Sequence, residues 1–171
     1  ISDGINWTSI TSGVSTPLRS VTYSESLGLF VAVGYLILTS SDSINWTSRT
    51  SGVSDHWCSV TYSESLGLFV IVGDFGDIIT SSDGINWTSR ASGVSTNLLS
   101  VTYSESLGLF VAVGYFGTII TSLDGINWTS RTSGVSTNLF SVTYSESLGL
   151  FVAVGYSGTI ITSSDGINWT S

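Results

Sequence analysis

An apolar run, Leu29-Phe30-Val31-Ala32-Val33, ends in glycine and returns almost unchanged at Leu68 to Val72, Leu109 to Val113 and Leu150 to Val154. A run of strand length that is apolar at every position and bounded by glycine predicts a strand buried on both faces. Ser20-Val21-Thr22-Tyr23 precedes the run, and its counterparts begin at Ser59, Ser100 and Ser141. In the third copy Thr118-Ile119-Ile120-Thr121 and then Ile126-Asn127-Trp128-Thr129-Ser130 follow it. Both segments are rich in the β-branched and aromatic residues that suit strands. Turn signals separate all four: Glu25-Ser26-Leu27-Gly28, Gly114-Tyr115-Phe116-Gly117 and Ser122-Leu123-Asp124-Gly125. Each unit is expected to be a four-stranded antiparallel meander.

The units repeat with a period of 41 residues, marked by Trp7, Trp46, Trp87, Trp128 and Trp169 at intervals of 39, 41, 41 and 41. A meander of this length whose second strand is apolar on both sides must be sandwiched between copies of itself, which predicts an all-β fold, a β-propeller of four-stranded blades. The blades are expected at 18–48, 57–89, 98–130 and 139–171 of a single repeat domain, with residues 1–9 as one extra outer strand. Five copies of the fourth segment against four of the others leave one strand surplus. The chain is therefore expected to be a segment of a longer array or to lend that strand to a neighbouring molecule.

Composition narrows the function. Of 171 residues 9% are charged, Lys is absent, and the net charge is -8. No basic stripe exists to neutralise phosphates, so nucleic acid is excluded as a partner, and no apolar stretch approaches the roughly 18 residues of a membrane span. About a third of the residues are Ser or Thr, a surface that suits an extracellular or cell-surface protein. The single Cys58 cannot form an internal disulfide. Beginning in mid-repeat at Ile1, the chain reads as a mature product or as part of something longer.

The segment Thr162-Ser163-Ser164-Asp165-Gly166-Ile167-Asn168-Trp169, with its earlier copies, resembles the Asp-box of bacterial neuraminidase repeats. The fuller pattern around Phe-Val-Ala-Val-Gly resembles secreted repeats related to sialidases and to photosystem II assembly factors. That resemblance implies that Asp42, Asp83, Asp124 and Asp165 fasten tight turns and that each Trp packs between blades. Sialidases bring three Arg together from different blades. Here Arg49, Arg90 and Arg131 share one repeated position after strand four, which is expected at the rim, and Arg19 stands alone. The chain is therefore read as non-enzymatic, with no cofactor, and sialidase-like glycoside hydrolysis as the third reading.

Differences among the copies gather in two places. The connections into strand one read Thr16-Pro17-Leu18-Arg19, Asp55-His56-Trp57-Cys58, Thr96-Asn97-Leu98-Leu99 and Thr137-Asn138-Leu139-Phe140, and the turns after strand two vary likewise. In an up-and-down blade these two regions share one face. The aromatics Tyr35, Trp57, Phe75, Tyr115, Phe116, Phe140 and Tyr156 are thus the expected ligand-binding set, suited to sugar rings. Asp55, His56, Asp74 and Asp77 are residue types that ligate metals but lack a recognised spacing, and no metal site is expected. Cys58 and His56 as nucleophile and base have no better support. Glu25, Glu64, Glu105 and Glu146 read as turn residues facing water.

Asn6, Asn45, Asn86, Asn127 and Asn168 each head an Asn-Trp-Thr triplet, the acceptor pattern for N-glycosylation. In a strand, Asn and Thr would share one face and Trp the other. The preferred function is a binding, adhesion or scaffolding module that recognises glycans through its variable face. The alternative is a structural subunit of a glycosylated fibre that self-associates by strand sharing.

Overall fold

The computed structural model describes residue 4, residues 6–53 and residues 56–171. The first sheet comprises β1 (Leu18–Ser24), β2 (Leu29–Gly34), β3 (Ile37–Ser40) and β4 (Thr47–Arg49). The second holds β5 (Trp57–Ser63), β6 (Leu68–Gly73), β7 (Ile78–Ser81) and β8 (Thr88–Arg90), and the third β9 (Leu98–Ser104), β10 (Leu109–Gly114), β11 (Ile119–Ser122) and β12 (Thr129–Arg131). The fourth consists of β13 (Leu139–Ser145), β14 (Leu150–Gly155) and β15 (Ile160–Ser163), and its outer strand is reduced to one antiparallel bridge, Thr162 with Thr170. Every sheet is a meander in chain order.

Adjacent sheets pack face to face, with the first strands β1, β5, β9 and β13 running beside one another and the fourth strands outermost. The apolar run explains this arrangement, because alternate residues of β2 and its copies point to opposite faces. Val31 and Val33 meet Phe69 and Ile71 of the second blade; Val70 and Val72 meet Phe110 and Ala112 of the third; Val111 and Val113 meet Phe151 and Ala153 of the fourth. Three cores thus join blades 1 to 2, 2 to 3 and 3 to 4. Among the described residues no such core joins blade 4 back to blade 1.

Two details differ from expectation. The outer strand starts at Thr47, Thr88 and Thr129, so Ile126, Asn127 and Trp128 belong to the preceding turn rather than to a strand. The cause is the carboxylate of Asp124, whose Oδ1 accepts the N–H groups of Ile126 and Asn127, both at 2.8 Å, and coils the chain around itself. The surplus segment behaves alike: Trp7 donates its indole N–H to the Gly4 carbonyl at 3.1 Å, and residues 6–10 lie outside any strand. Residues 1–3 and 5, the rest of the expected extra strand, are outside the described residues.

Candidate binding face

A bulge builds the variable face. In all four blades the register between the first and second strands slips by one residue, from Leu139 opposite Gly155 to Ser141 opposite Val154 in the last. The extra residue is Arg19, Cys58, Leu99 or Phe140, the position at which the copies differ most. Bulges re-aim side chains at the ends of sheets. Just before it, the backbone carbonyls of Pro17, His56, Asn97 and Asn138 accept N–H bonds from Tyr35, Asp74, Tyr115 and Tyr156. The entering segment and the turn after the second strand are thereby tied together on one face, as the up-and-down topology requires. A Cβ on Gly114 would run into the Asn97 carbonyl, so glycine ends this strand for want of space.

Single 3-10 turns, Asp74–Gly76, Tyr115–Gly117 and Tyr156–Gly158, occupy this face in blades 2 to 4. Their middle residues Phe75, Phe116 and Ser157 all have φ of 56°, the left-handed region that bulky side chains avoid. Asparagine from the next blade holds two of them: Asn97 Oδ1 accepts the Phe75 N–H at 3.0 Å and Asn138 Oδ1 the Phe116 N–H at 3.1 Å. Phe75 and Phe116 are each 71% exposed. Large apolar rings are thus held out in water on strained backbone.

Of the aromatics singled out from the sequence, Tyr35, Phe75, Phe116, Phe140 and Tyr156 are exposed and Tyr115 is half-buried, in edge contact with Phe116 at 6.2 Å. Trp57 is different. It is 1% exposed and fills the core between blades 1 and 2, so it is withdrawn from the candidate surface. It takes the place of Leu98 and Leu139, which are also buried, and its indole points with them.

In the second unit Asp74 is the hub of a network. Its carboxylate lies 3.3 Å from His56 Nδ1, accepts from Asn97 Nδ2 at 2.7 Å, and receives the Cys58 thiol at 3.8 Å. Arg19 donates to Cys58 Sγ at 3.3 Å, and the His56 and Tyr35 rings are 4.1 Å apart between centroids. Burial pushes the Cys58 thiol up, with Arg19 pulling the other way. Cys58 and His56 therefore meet through Asp74 rather than each other. Among the described residues no three His, Cys, Asp or Glu are placed to hold a metal ion. Asp77 sits at the end of the same turn, its N–H on the Asp74 carbonyl, and Asp55 is outside the described residues.

The opposite face is the constant one. Asp42, Asp83, Asp124 and Asp165 each accept from two backbone N–H groups, a serine hydroxyl and the side-chain amide of the following Asn, and these bonds hold all four carboxyls well below the usual range. Trp46, Trp128 and Trp169 donate to the carbonyl at the centre of their own turn, at 3.1 Å. Trp87, Trp128 and Trp169 pack into the three inter-blade cores. Glu64 and Glu105 do more than face water. Each accepts the two N–H groups at the tip of the preceding blade's turn, Glu25 and Ser26 in one case, Glu64 and Ser65 in the other, while Glu146 accepts that of Glu105. The sequence carries the signal, an invariant Glu at a turn tip, but its partners lie 38 to 41 residues away.

At the rim Arg49, Arg90 and Arg131 bond Thr39, Thr80 and Thr121 of the adjacent strand, all at 2.9 Å. Two equivalent clefts open there, ≈ 450 Å³ beside Arg49, Gly52 and Trp87 and ≈ 380 Å³ beside Arg131, Thr132 and Trp169. Asn45, Asn86, Asn127 and Asn168 are exposed, and each donates one amide hydrogen to its turn Asp at 2.7 to 2.8 Å.

No family model and no curated protein matches the chain. Solved structures do. YCF48 from Cyanidioschyzon merolae is similar with a TM-score of 0.71 at 20% identity over 91% of this chain and 56% of that one. A chain of the nidogen/laminin complex is similar at 0.73 and 11%, over 89% and 62%, and the Niastella koreensis GH74 enzyme at 0.64 and 18%, over 90% and 24%. The chain thus spans a little over half the length of the first two. With four radially packed meanders, these likenesses define a β-propeller fold. Among the described residues no helix is long and apolar enough to cross a membrane.

Proposed function

We propose that the chain is a non-enzymatic binding propeller of the extracellular space, whose variable face takes saccharides. The observation that carries this reading is the pair Phe75 and Phe116, both 71% exposed on left-handed backbone and both fixed by asparagine from the next blade. Strain of this kind costs of order 1–3 kcal/mol per residue and gathers at ligand sites. Rigid aromatic platforms beside hydroxyl and amide groups suit the apolar faces and hydroxyl edges of sugar rings. The resemblance to secreted Asp-box repeats, the hydroxyl-rich surface and the Asn-Trp-Thr triplets support an exported, glycosylated setting.

The test is an immobilised oligosaccharide panel probed with the wild-type chain and with Phe75→Ala and Phe116→Ala variants. Saturable binding to a defined set of sugars, lost at least tenfold in the variants with the circular dichroism unchanged, is the expected result. No binding by the folded chain to any saccharide contradicts the reading.

A further inference from the structure

Twelve side-chain carboxylates outnumber four arginines in this chain, yet among the described residues no arginine forms an ion pair. The one pair found there joins His56 to Asp74. Arg49, Arg90 and Arg131, each half-buried at the rim, engage the protein through Nε alone, donating to Thr39, Thr80 and Thr121 at 2.9 Å. Their Nη groups make no hydrogen bond among the described residues. The Nε bond steadies the guanidinium plane and leaves its outer donors free. That is the state in which a guanidinium takes an oxyanion through two parallel bonds.

Two of the three line clefts between neighbouring blades, ≈ 450 Å³ at Arg49 and ≈ 380 Å³ at Arg131. One wall is the outer strand and the threonine after it, Thr50 or Thr132; the other is the turn of the next blade, with Asn86 and Trp87 or Asn168 and Trp169. Each asparagine gives one amide hydrogen to its turn aspartate, which leaves the second for a ligand. Among the described residues no carboxylate lines either cleft. Asp83 and Asp165, behind the asparagines, are already filled by donors of their own turns. The indole beside each arginine walls the cleft with apolar surface, and a charge contact gains where water is displaced. At the junction between these two, Ala91 stands after Arg90 in place of the threonine.

We propose that the clefts at Arg49 and Arg131 are oxyanion sites, each holding one carboxylate or sulfate group on the free edge of its guanidinium, with the threonine hydroxyl and the asparagine amide as further donors. The arginines act singly, one to a cleft. A net charge of -8 turns away a densely charged polyanion, so the group is carried by an otherwise neutral molecule. These sites are at the rim and stand apart from saccharide binding on the variable face.

Nuclear magnetic resonance of the ¹⁵N-labelled chain tests this, with sodium acetate or sodium sulfate replacing sodium chloride at constant ionic strength. Saturable shifts of the Nε–H signals of Arg49 and Arg131 and of the indole N–H signals of Trp87 and Trp169 are expected with at least one oxyanion. The one that saturates at the lower concentration identifies the group. Arg49→Lys keeps the charge but loses the fork, and should weaken the response at Trp87 at least threefold while Trp169 responds as before. The Arg131 cleft thus reports in the same sample that the variant is folded. Saturation by neither oxyanion overturns the proposal, as do shifts at Arg19 as large as those at Arg49 and Arg131. A Trp87 response that survives Arg49→Lys unchanged overturns it as well.

Discussion

Asn138 accepts the peptide N–H of Phe116 across a blade junction at 3.1 Å, and that bond holds the phenylalanine in a left-handed turn. The side chain of one repeat thus braces the backbone of the one before, while Ser157 keeps the same φ of 56° without such a bond. Removing the amide in Asn138→Ala should leave that exposed N–H to water and cost no more than about 1 kcal/mol of stability. Hydrogen exchange at Phe116 should accelerate while exchange at the equivalent Phe75, held by Asn97, stays as it was. No acceleration at Phe116 would show that the turn is set by its own sequence.

Gly125 turns the chain at φ of 71°, with the space above it taken by Leu68 of the preceding blade. Gly125→Ala should destabilise by more than about 1 kcal/mol, from the left-handed backbone and the crowding together. The reverse comparison is built into the chain: Ser43 holds the same position with φ of 62°, and among the described residues no preceding blade packs against it. Ser43→Gly should therefore change chemical denaturation much less than Gly125→Ala. Equal and opposite shifts would mean that crowding by Leu68 contributes nothing.

The four turn aspartates give the fold an acid limit. Their carboxyls titrate lower folded than unfolded, so their contribution is fully present above the unfolded value of about 3.9 and is lost as pH falls through that value toward the folded one. Thermal midpoints should be level above this range and drop below it. In Asp124→Asn and Asp165→Asn variants the drop should be shallower. A midpoint indifferent to pH between neutrality and the acid range would contradict the role assigned to these carboxylates.

Glu105 reaches from blade 3 to the turn of blade 2. Glu105→Ala should quicken amide exchange at Glu64 and Ser65, its partners in the other blade, more than at its own neighbours. The stability cost should be no more than about 1 kcal/mol, since the site is open to water. Exchange altered only beside residue 105 would argue against the cross-blade contact.

Much of this architecture could be read from the chain because repetition supplies its own comparison. The four-strand unit, its double-faced second strand and the division into a constant and a variable face all follow from which positions are copied and which are not. Trp57 reads as exposed by its type, an aromatic in a variable segment, yet Leu98 and Leu139 at the same repeat position mark it as core. Asn127 and Trp128 have strand character, but the Asp124 carboxylate overrides it, and the outer strand starts only at Thr129. The exposure of Val21 and Ile160 cannot be read from the residues themselves, which are the same ones that interior blades bury. Burial there depends on a neighbour, not on the residue.

The central claim is that the variable face is where a saccharide sits. Amide chemical-shift mapping, with the chain titrated against the tightest-binding sugar of the panel, tests it most directly. Saturable shifts clustered at Phe75, Tyr115, Phe116, Phe140 and Tyr156 are the result expected. Shifts confined to the rim, around Arg49 and Trp87 or Arg131 and Trp169, would contradict it and move the site to the clefts between outer strands.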